Sequence, residues 1–310
     1  MRPLIPWFEP LQFTLFTVPE WFPVASLAGQ PLTIHSFGIL VAAGFLIGTH
    51  VAQRKAVRDG LNPLLLGDIV TWLVLGTFVG GHIFHGLFYE PDVYFADPIR
   101  FLYLWDGLSS TGGFLACTAL AVWFFKVKHK VPVWPYGDCV AYGLAFGYFW
   151  GRMGCFSAHD HPGKVTEFWL GVYGMCPDRP ESVACHDLGL YEALYILGVF
   201  CVFLVLDRKP RPAGFFLGLL PLFYGIARFC FDFLRVGDVR YINDTFTPAQ
   251  FVAVGFIVAG ATIVFTRRNA PTVAELIAEG KVPPGGLVAA SFEQEPEPPT
   301  EPSTDGGQER

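Results

Sequence analysis

Charge is what this sequence has least of: 15% of its 310 residues are Asp, Glu, Lys or Arg, against 52% hydrophobic and 16% aromatic. Soluble globular chains carry about a quarter charged residues, so with a mean hydropathy of +0.42 the chain is read as a membrane protein. Basic residues are scarce as well, 21 against 27 acidic, and no nucleic-acid partner is expected. Much of the acidic surplus sits in the terminal EQEPEPPTEPSTDGGQER, which has almost nothing apolar to bury and reads as disordered. Paired CxxC spacings are missing too. Most of the seven cysteines lie in apolar stretches, where Cys behaves as a small hydrophobe, so no metal site, disulfide framework or cofactor is expected. Cys176 and Cys185 are the exception, because they share one polar loop and can pair if it faces an oxidising compartment. The start lacks a basic segment followed by a short apolar run and a small-residue cleavage site, so the first spanning helix is expected to do the targeting. No repeat of 20–50 residues and no second soluble domain stands out.

What is present is a series of long apolar stretches. A spanning helix needs roughly 20 apolar residues, because its backbone must satisfy itself inside the hydrocarbon. Seven stretches approach that length, at 34–52, 65–88, 109–125, 136–150, 189–206, 214–234 and 248–265. The third and fourth are short, and the fourth is rich in Gly and Tyr. The expected fold is all-α with about seven transmembrane helices over residues 1–268, followed by a tail at 269–310. Basic residues alternate between the connections. Eleven fall after the first, third, fifth and seventh stretches (Arg54, Lys55, Arg58, Lys126, Lys128, Lys130, Arg208, Lys209, Arg211, Arg267 and Arg268), and five fall on the opposite side. Because Lys and Arg accumulate in cytoplasmic loops, the N-terminus is expected in the periplasm and the C-terminal tail in the cytoplasm.

An arginine inside a membrane costs about 2.5–3.5 kcal/mol on insertion scales, so it requires a partner or a ligand. Arg152 ends the fourth stretch within GRMGCFSAHDHPG, and Arg228, Asp232 and Arg235 are spaced by four and three in ARFCFDFLR, on one helical face. An internal Arg–Asp pair with a snorkelling Arg is the plain reading. A phosphate clamp is the functional one, since a guanidinium holds phosphate oxygens bidentately and keeps its charge. Cys155, His159, Asp160 and His161 follow Arg152 closely and invite nucleophile or metal readings. An inert buried thiol is the equally simple alternative. His82 and His85, three apart in GGHIFHG, are either hydrogen-bonded interior histidines or a general base.

Four ordered motifs carry a resemblance. GRMGCF at 151–156 is similar to the G-R-x-G-N-F signature of the prolipoprotein diacylglyceryl transferases, and ADPIRFLYLWDGLSSTGG resembles that family's ADP segment with its W-[DE]-G turn and His-Gly-Gly. HDLGLYE resembles its H-P-x-Q-L-Y-E, and RFCFDFLR its R-F-x-x-E-x-x-R. The resemblance implies a multi-pass enzyme of the bacterial inner membrane, its site toward the periplasm. It would move a diacylglyceryl group from phosphatidylglycerol to the lipobox cysteine thiol of an exported prolipoprotein, without a cofactor. By motif position Arg152 binds the donor phosphate with help from Arg228 and Arg235, while Asp232 and Asp160 stand where the family has Glu. Gly151, Gly154, Gly163, Gly112, Gly113, Tyr191 and Glu192 fall at motif positions expected to line the substrate site. The chain departs from the pattern at Thr111 (family His), Phe37 (family Tyr) and Cys155 (family Asn). Thr cannot act as a base near neutral pH, so Thr111 leaves that role to another residue, with His82, His159 and His161 as the choices. Two other readings are a Cys155-dependent lipid transferase with a different acceptor, and a non-catalytic phospholipid-binding paralogue.

Overall fold

The structure, a computed structural model, describes residues 3–21, 29–103, 107–236 and 245–283; within these, the side chains of Ser110 and Thr111 lie outside the description. The helices are α1 (Ser36–Arg58), α2 (Leu64–Phe88), α3 (Pro91–Ala96), α4 (Ser110–Val122), α5 (Val133–Ala158), α6 (Leu188–Leu206), α7 (Phe215–Phe231), α8 (Pro248–Arg267) and α9 (Val273–Ala278). Five of them, α1, α2, α6, α8 and α7 with its 3-10 extension to Leu234, are long and apolar enough to cross a membrane. Their outward residues are apolar, as Leu46, Leu75, Phe251 and Val258 show, which suits a lipid solvent. The chain is thus a mainly helical, multi-pass membrane protein.

The two remaining apolar stretches differ from these five for separate reasons. The third forms α4, thirteen residues long, which continues as a π-helix over Trp123–Lys128. The fourth forms α5, long at 26 residues but rich in glycine and polar groups. α5 packs against α1, α6 and α7 and buries much of its surface there, so it does not require a lipid-facing apolar coat.

Small residues decide how closely α1 and α5 approach. Gly44 and Gly48 form one small-xxx-small pair, and Gly143 and Gly147 form the facing one. A Cβ on Gly143 would stand 2.3 Å from the Gly48 carbonyl oxygen, and one on Gly147 would stand 2.7 Å from that of Gly44. Backbone therefore lies on backbone along this seam. On the other side of α5, Tyr142 packs among Phe200, Phe203 and Phe216 of α6 and α7. Asp138 of α5 accepts hydrogen bonds from the backbone N–H of Gly214 (2.7 Å) and Leu217 (2.8 Å), capping α7 from a neighbouring helix.

Two small antiparallel sheets qualify the all-α expectation. β1 (Gln12–Thr17) pairs with β2 (Pro31–His35) ahead of α1. Between α5 and α6, β3 (Pro162–Val165), β4 (Val172–Tyr173) and β5 (Ala184–Asp187) form a sheet ordered β3-β5-β4. These are connections too short in apolar sequence to signal strands on their own. Cys176 and Cys185 are joined by a disulfide that ties β5 to the loop before it. After α8 the chain turns back: Thr272 bridges Pro212, α9 follows, and Leu276, Ile277 and the fully buried Val282 pack on the core around Phe124 and Phe125. The acidic end of the tail, 284–310, lies outside the described residues.

Candidate functional site

Arg152 lies on the last two turns of α5 and is held from two sides. Its Nη2 meets Glu192 Oε2 of α6 at 2.7 Å, and its Nε donates to the Tyr148 hydroxyl at 2.8 Å. That hydroxyl donates in turn to Glu192 Oε2 at 3.3 Å. Glu192 receives a second arginine on its other oxygen, where Arg228 Nη1 of α7 lies 3.3 Å from Oε1. Arg228 also reaches Asp232 Oδ1 at 3.2 Å, one helical turn on. One carboxylate, 4% exposed, thus sits between two guanidiniums that are 12% and 14% exposed, and three helices converge on it. Burying such a group is costly unless each charge is paired, and the pairing fixes both arginines in place.

Asp232 is fully buried and accepts a short hydrogen bond from the Thr247 hydroxyl. Thr247 is the N-cap of α8, with a reciprocal Gln250 contact, so the end of α7 and the start of α8 share one polar knot. Arg235 follows Asp232 by three residues, and its backbone bridges Gly163 beside β3.

Arg152, of this arginine cluster, lines an apolar cavity of about 340 Å³ between α1, α2 and α5. Phe45, Leu66, Ile69 and Leu73 line its length, and Gly151, Arg152 and Cys155 lie at its polar end. Nothing stands within 4 Å of where a Gly151 Cβ would point, whereas one on Gly154 would meet Phe37 of α1 at 3.2 Å. Gly151 therefore opens the cavity and Gly154 closes a helix contact. Gly163 is backed by His186 and Leu234, while Gly112 and Gly113 adjoin Phe84 and Thr77 of α2.

The expected histidines separate by environment. His82 is fully buried, with Nδ1 3.0 Å from the Gly107 carbonyl and Nε2 3.0 Å from that of Arg100, so its ring fastens the segment before α4. His85 lies 3.7 Å from Glu90. Thr111 occupies the first turn of α4, and of the W-[DE]-G turn at 105–107 the first two residues lie outside the described residues. His159 takes a left-handed conformation (φ 50°) as the C-cap of α5. Its ring is stacked on Trp7, with Phe8 close by, and its Nδ1 is 3.3 Å from Asp187, which also caps α6 through the Leu190 N–H.

His161 is different. Its Nε2 lies 3.4 Å from Arg152 Nη1, and its Nδ1 makes a short contact with the half-exposed Asp160. The Asp160 hydrogen bond, then that of Cys155, raise its pKa to about 9 against an opposing burial effect. Cys155, Asp160 and His161 bring one donor atom each within 4.8 Å of one another. Arg152 Nη1 stands 3.6 Å from the Cys155 sulfur, a position that favours an anion there over a divalent cation. Tyr191 bonds His186 through its hydroxyl (2.8 Å), and burial lowers the His186 pKa. Sequence reasoning missed Tyr148 and Thr247. Tyr148 precedes Arg152 by one helical turn, a spacing that could have shown it, while Thr247 gave no comparable sign.

The family model described as prolipoprotein diacylglyceryl transferase matches residues 23–266. The chain belongs to this family. Relatives named phosphatidylglycerol--prolipoprotein diacylglyceryl transferase include one from Chromohalobacter salexigens, 33% identical over 262 residues, covering 82% of this chain and 96% of the relative. Another, from Solidesulfovibrio magneticus, is 34% identical over 267 residues, 83% of this chain and 98% of its own length. A third, from Pseudomonas putida strain F1, is 34% identical over 261 residues, with 81% and 96% covered. The match thus runs from α1 to the last turn of α8, and the arginine cluster and the cavity lie inside it.

Proposed function

We propose that this chain transfers the diacylglyceryl group of phosphatidylglycerol to the lipobox cysteine thiol of an exported prolipoprotein, forming a thioether and releasing glycerol phosphate. The observation that carries the proposal is the polarity of the cavity, an apolar space whose lining carries an arginine beside Gly151 and Cys155. A phospholipid has the matching profile, acyl chains followed by an anionic phosphate. In this reading Arg152 binds the donor phosphate, and Arg228 and Arg235 help to hold the charge that develops as the phosphate ester leaves. Glu192 and Asp232 position the arginines, Tyr191 and Asp160 border the site, and Gly151 leaves room for the headgroup. The enclosure of His82 and His159 supports roles in holding the surrounding loops.

The same reading places the chain in the bacterial inner membrane with seven spans, α4 and α5 completing the five, the N-terminus and the arginine cluster toward the periplasm and the tail in the cytoplasm. The disulfide between Cys176 and Cys185 supports that side for its loop, since such bonds persist in oxidising compartments. Purified protein incubated with phosphatidylglycerol and a lipobox peptide should add a diacylglyceryl mass to the peptide cysteine by mass spectrometry. An unmodified peptide under conditions where a family relative modifies it would refute the activity. Reporters fused after Lys128 and near Ser182 should read as cytoplasmic and periplasmic, and finding both on one side would refute the topology.

A further inference from the structure

Two of the three donor nitrogens of Arg152 are engaged, Nη2 by Glu192 and Nε by Tyr148. The third, Nη1, has only long contacts, 3.6 Å to the Cys155 sulfur and 3.4 Å to His161 Nε2. A neutral imidazole could accept from Nη1. Asp160 speaks against that state, because a carboxylate pressed on Nδ1 favours the ring that carries a proton on both nitrogens. Two N–H groups from two cations then lie side by side, their nitrogens 3.4 Å apart, a separation that two oxygens of one phosphate group can bridge.

We propose that His161, backed by Asp160, is a second cationic hand on the phosphate of the donor, working beside Arg152 to hold the charge on the oxygen that leaves. This rests on the donor-phosphate reading above. As the acceptor sulfur forms its bond to the glyceryl carbon, the carbon–oxygen bond to phosphate breaks and its electron pair stays on the phosphate oxygen. The thiol proton of the acceptor ends on the released phosphomonoester, and His161 keeps its own proton and with it the positive charge that faces the leaving oxygen. A thiol and a phosphodiester become a thioether and a phosphomonoester, with every proton accounted for. The charged or titratable groups facing His161 are Asp160, Cys155 and Arg152, with Glu192 behind Arg152 and Arg235 joined by its backbone to Gly163.

The sign of the pH effect follows from a raised pKa. His161 is cationic below about 9 and loses its charge as pH rises through that value, so phosphate binding should be strong below it and weaken above it. The test is titration of the detergent-purified full chain with glycerol phosphate by calorimetry across that pH range, alongside His161→Gln, His161→Lys and Asp160→Asn. The expected result is that His161→Gln binds about ten-fold more weakly at neutral pH and no longer responds to pH near 9. His161→Lys should bind like the parent chain at neutral pH and keep that binding to higher pH, and Asp160→Asn should move the loss to lower pH. Equal affinity and an equal pH course in the parent chain and His161→Gln would overturn the proposal, as would a parent chain that does not bind glycerol phosphate. If His161→Gln fails to fold, the absence of either shift in the other two variants overturns it. Turnover with phosphatidylglycerol and a lipobox peptide is followed in parallel. Glycerol phosphate binding that behaves as expected in a chain showing no transfer would leave the phosphate site standing and reject the transferase reading instead.

Discussion

The two ends of the helical bundle each carry a buried ionic cluster, and they are built to different purposes. At one end Lys55 of α1 bonds Asp59 (2.7 Å) and Asp207 (2.8 Å), Arg58 joins Asp207, and the ammonium lies 5.2 Å from the Phe216 ring centroid and 5.6 Å from that of Tyr142. Lysine, carboxylates and rings close over one another there. At the other end Glu192 sits between Arg152 and Arg228, and Arg152 lines an apolar cavity. Both clusters satisfy the demand that buried charge be paired. The second also leaves an arginine edge toward an apolar cavity. Under the proposed function, the closed charge network serves packing and the one beside the cavity serves a ligand.

The comparison breaks most clearly at Arg152. Arg152→Ala should lower specific activity, normalised to folded protein by size exclusion, by more than a hundred-fold. Arg152→Lys, which keeps charge but loses the two-pronged contact, should cost about ten- to a hundred-fold. Unchanged activity per folded molecule in Arg152→Ala would make the two clusters alike. Lys55→Ala should do the reverse, destabilising the fold by about 3 kcal/mol through two carboxylates left short of a partner, with activity per folded molecule retained. A thermal unfolding series with parallel assays separates these outcomes, and a loss of turnover without loss of stability would contradict the division.

A smaller effect is expected at the seam that connects the two ends. Gly143→Ala would place a Cβ 2.3 Å from the Gly48 carbonyl oxygen, and forcing α1 from α5 should cost about 1–3 kcal/mol. Because the cavity lies between these helices, the apparent KM for phosphatidylglycerol should rise as well; an unaltered KM would show that the cavity tolerates the shift. The smallest effect is at α9, where Glu275 and Thr272 form a capping box. The Thr272 backbone and side-chain hydrogen bonds lower the Glu275 pKa, so this cap is present above the ordinary carboxylate range and fades as pH falls through the lowered value. Thr272→Ala should cost about 1 kcal/mol and leave activity unchanged, as a Tm shift without a rate change would show.

Much of the site was legible because its signals are local. An arginine in an apolar stretch is conspicuous against the cost of burying it, and the spacing of Arg228, Asp232 and Arg235 follows from helical geometry. Gly151 and Glu192 were reached through their motifs. The position of Glu192 between two arginines, 40 residues from Arg152 and 36 from Arg228, depends on how α5, α6 and α7 converge, and no short-range pattern encodes that. The glycines show the same limit. Gly151 faces a cavity and Gly154 faces Phe37, although both belong to one motif and lie one turn apart on α5, because Phe37 of α1 covers only the later of the two.

By itself the sequence determined the solvent of this protein, the helices that face it and the residues whose burial requires a partner, since hydropathy and helical period act over one or two turns. The tertiary structure decided which charges pair, which glycines border a cavity and which histidine stands beside Arg152. Those choices arise where segments far apart in the chain meet, as when α5 closes on the Gly44–Gly48 seam of α1 while the β3–β5 pairing sets Pro162 against Asp187 and brings His161 and Asp187 to one end of the sheet.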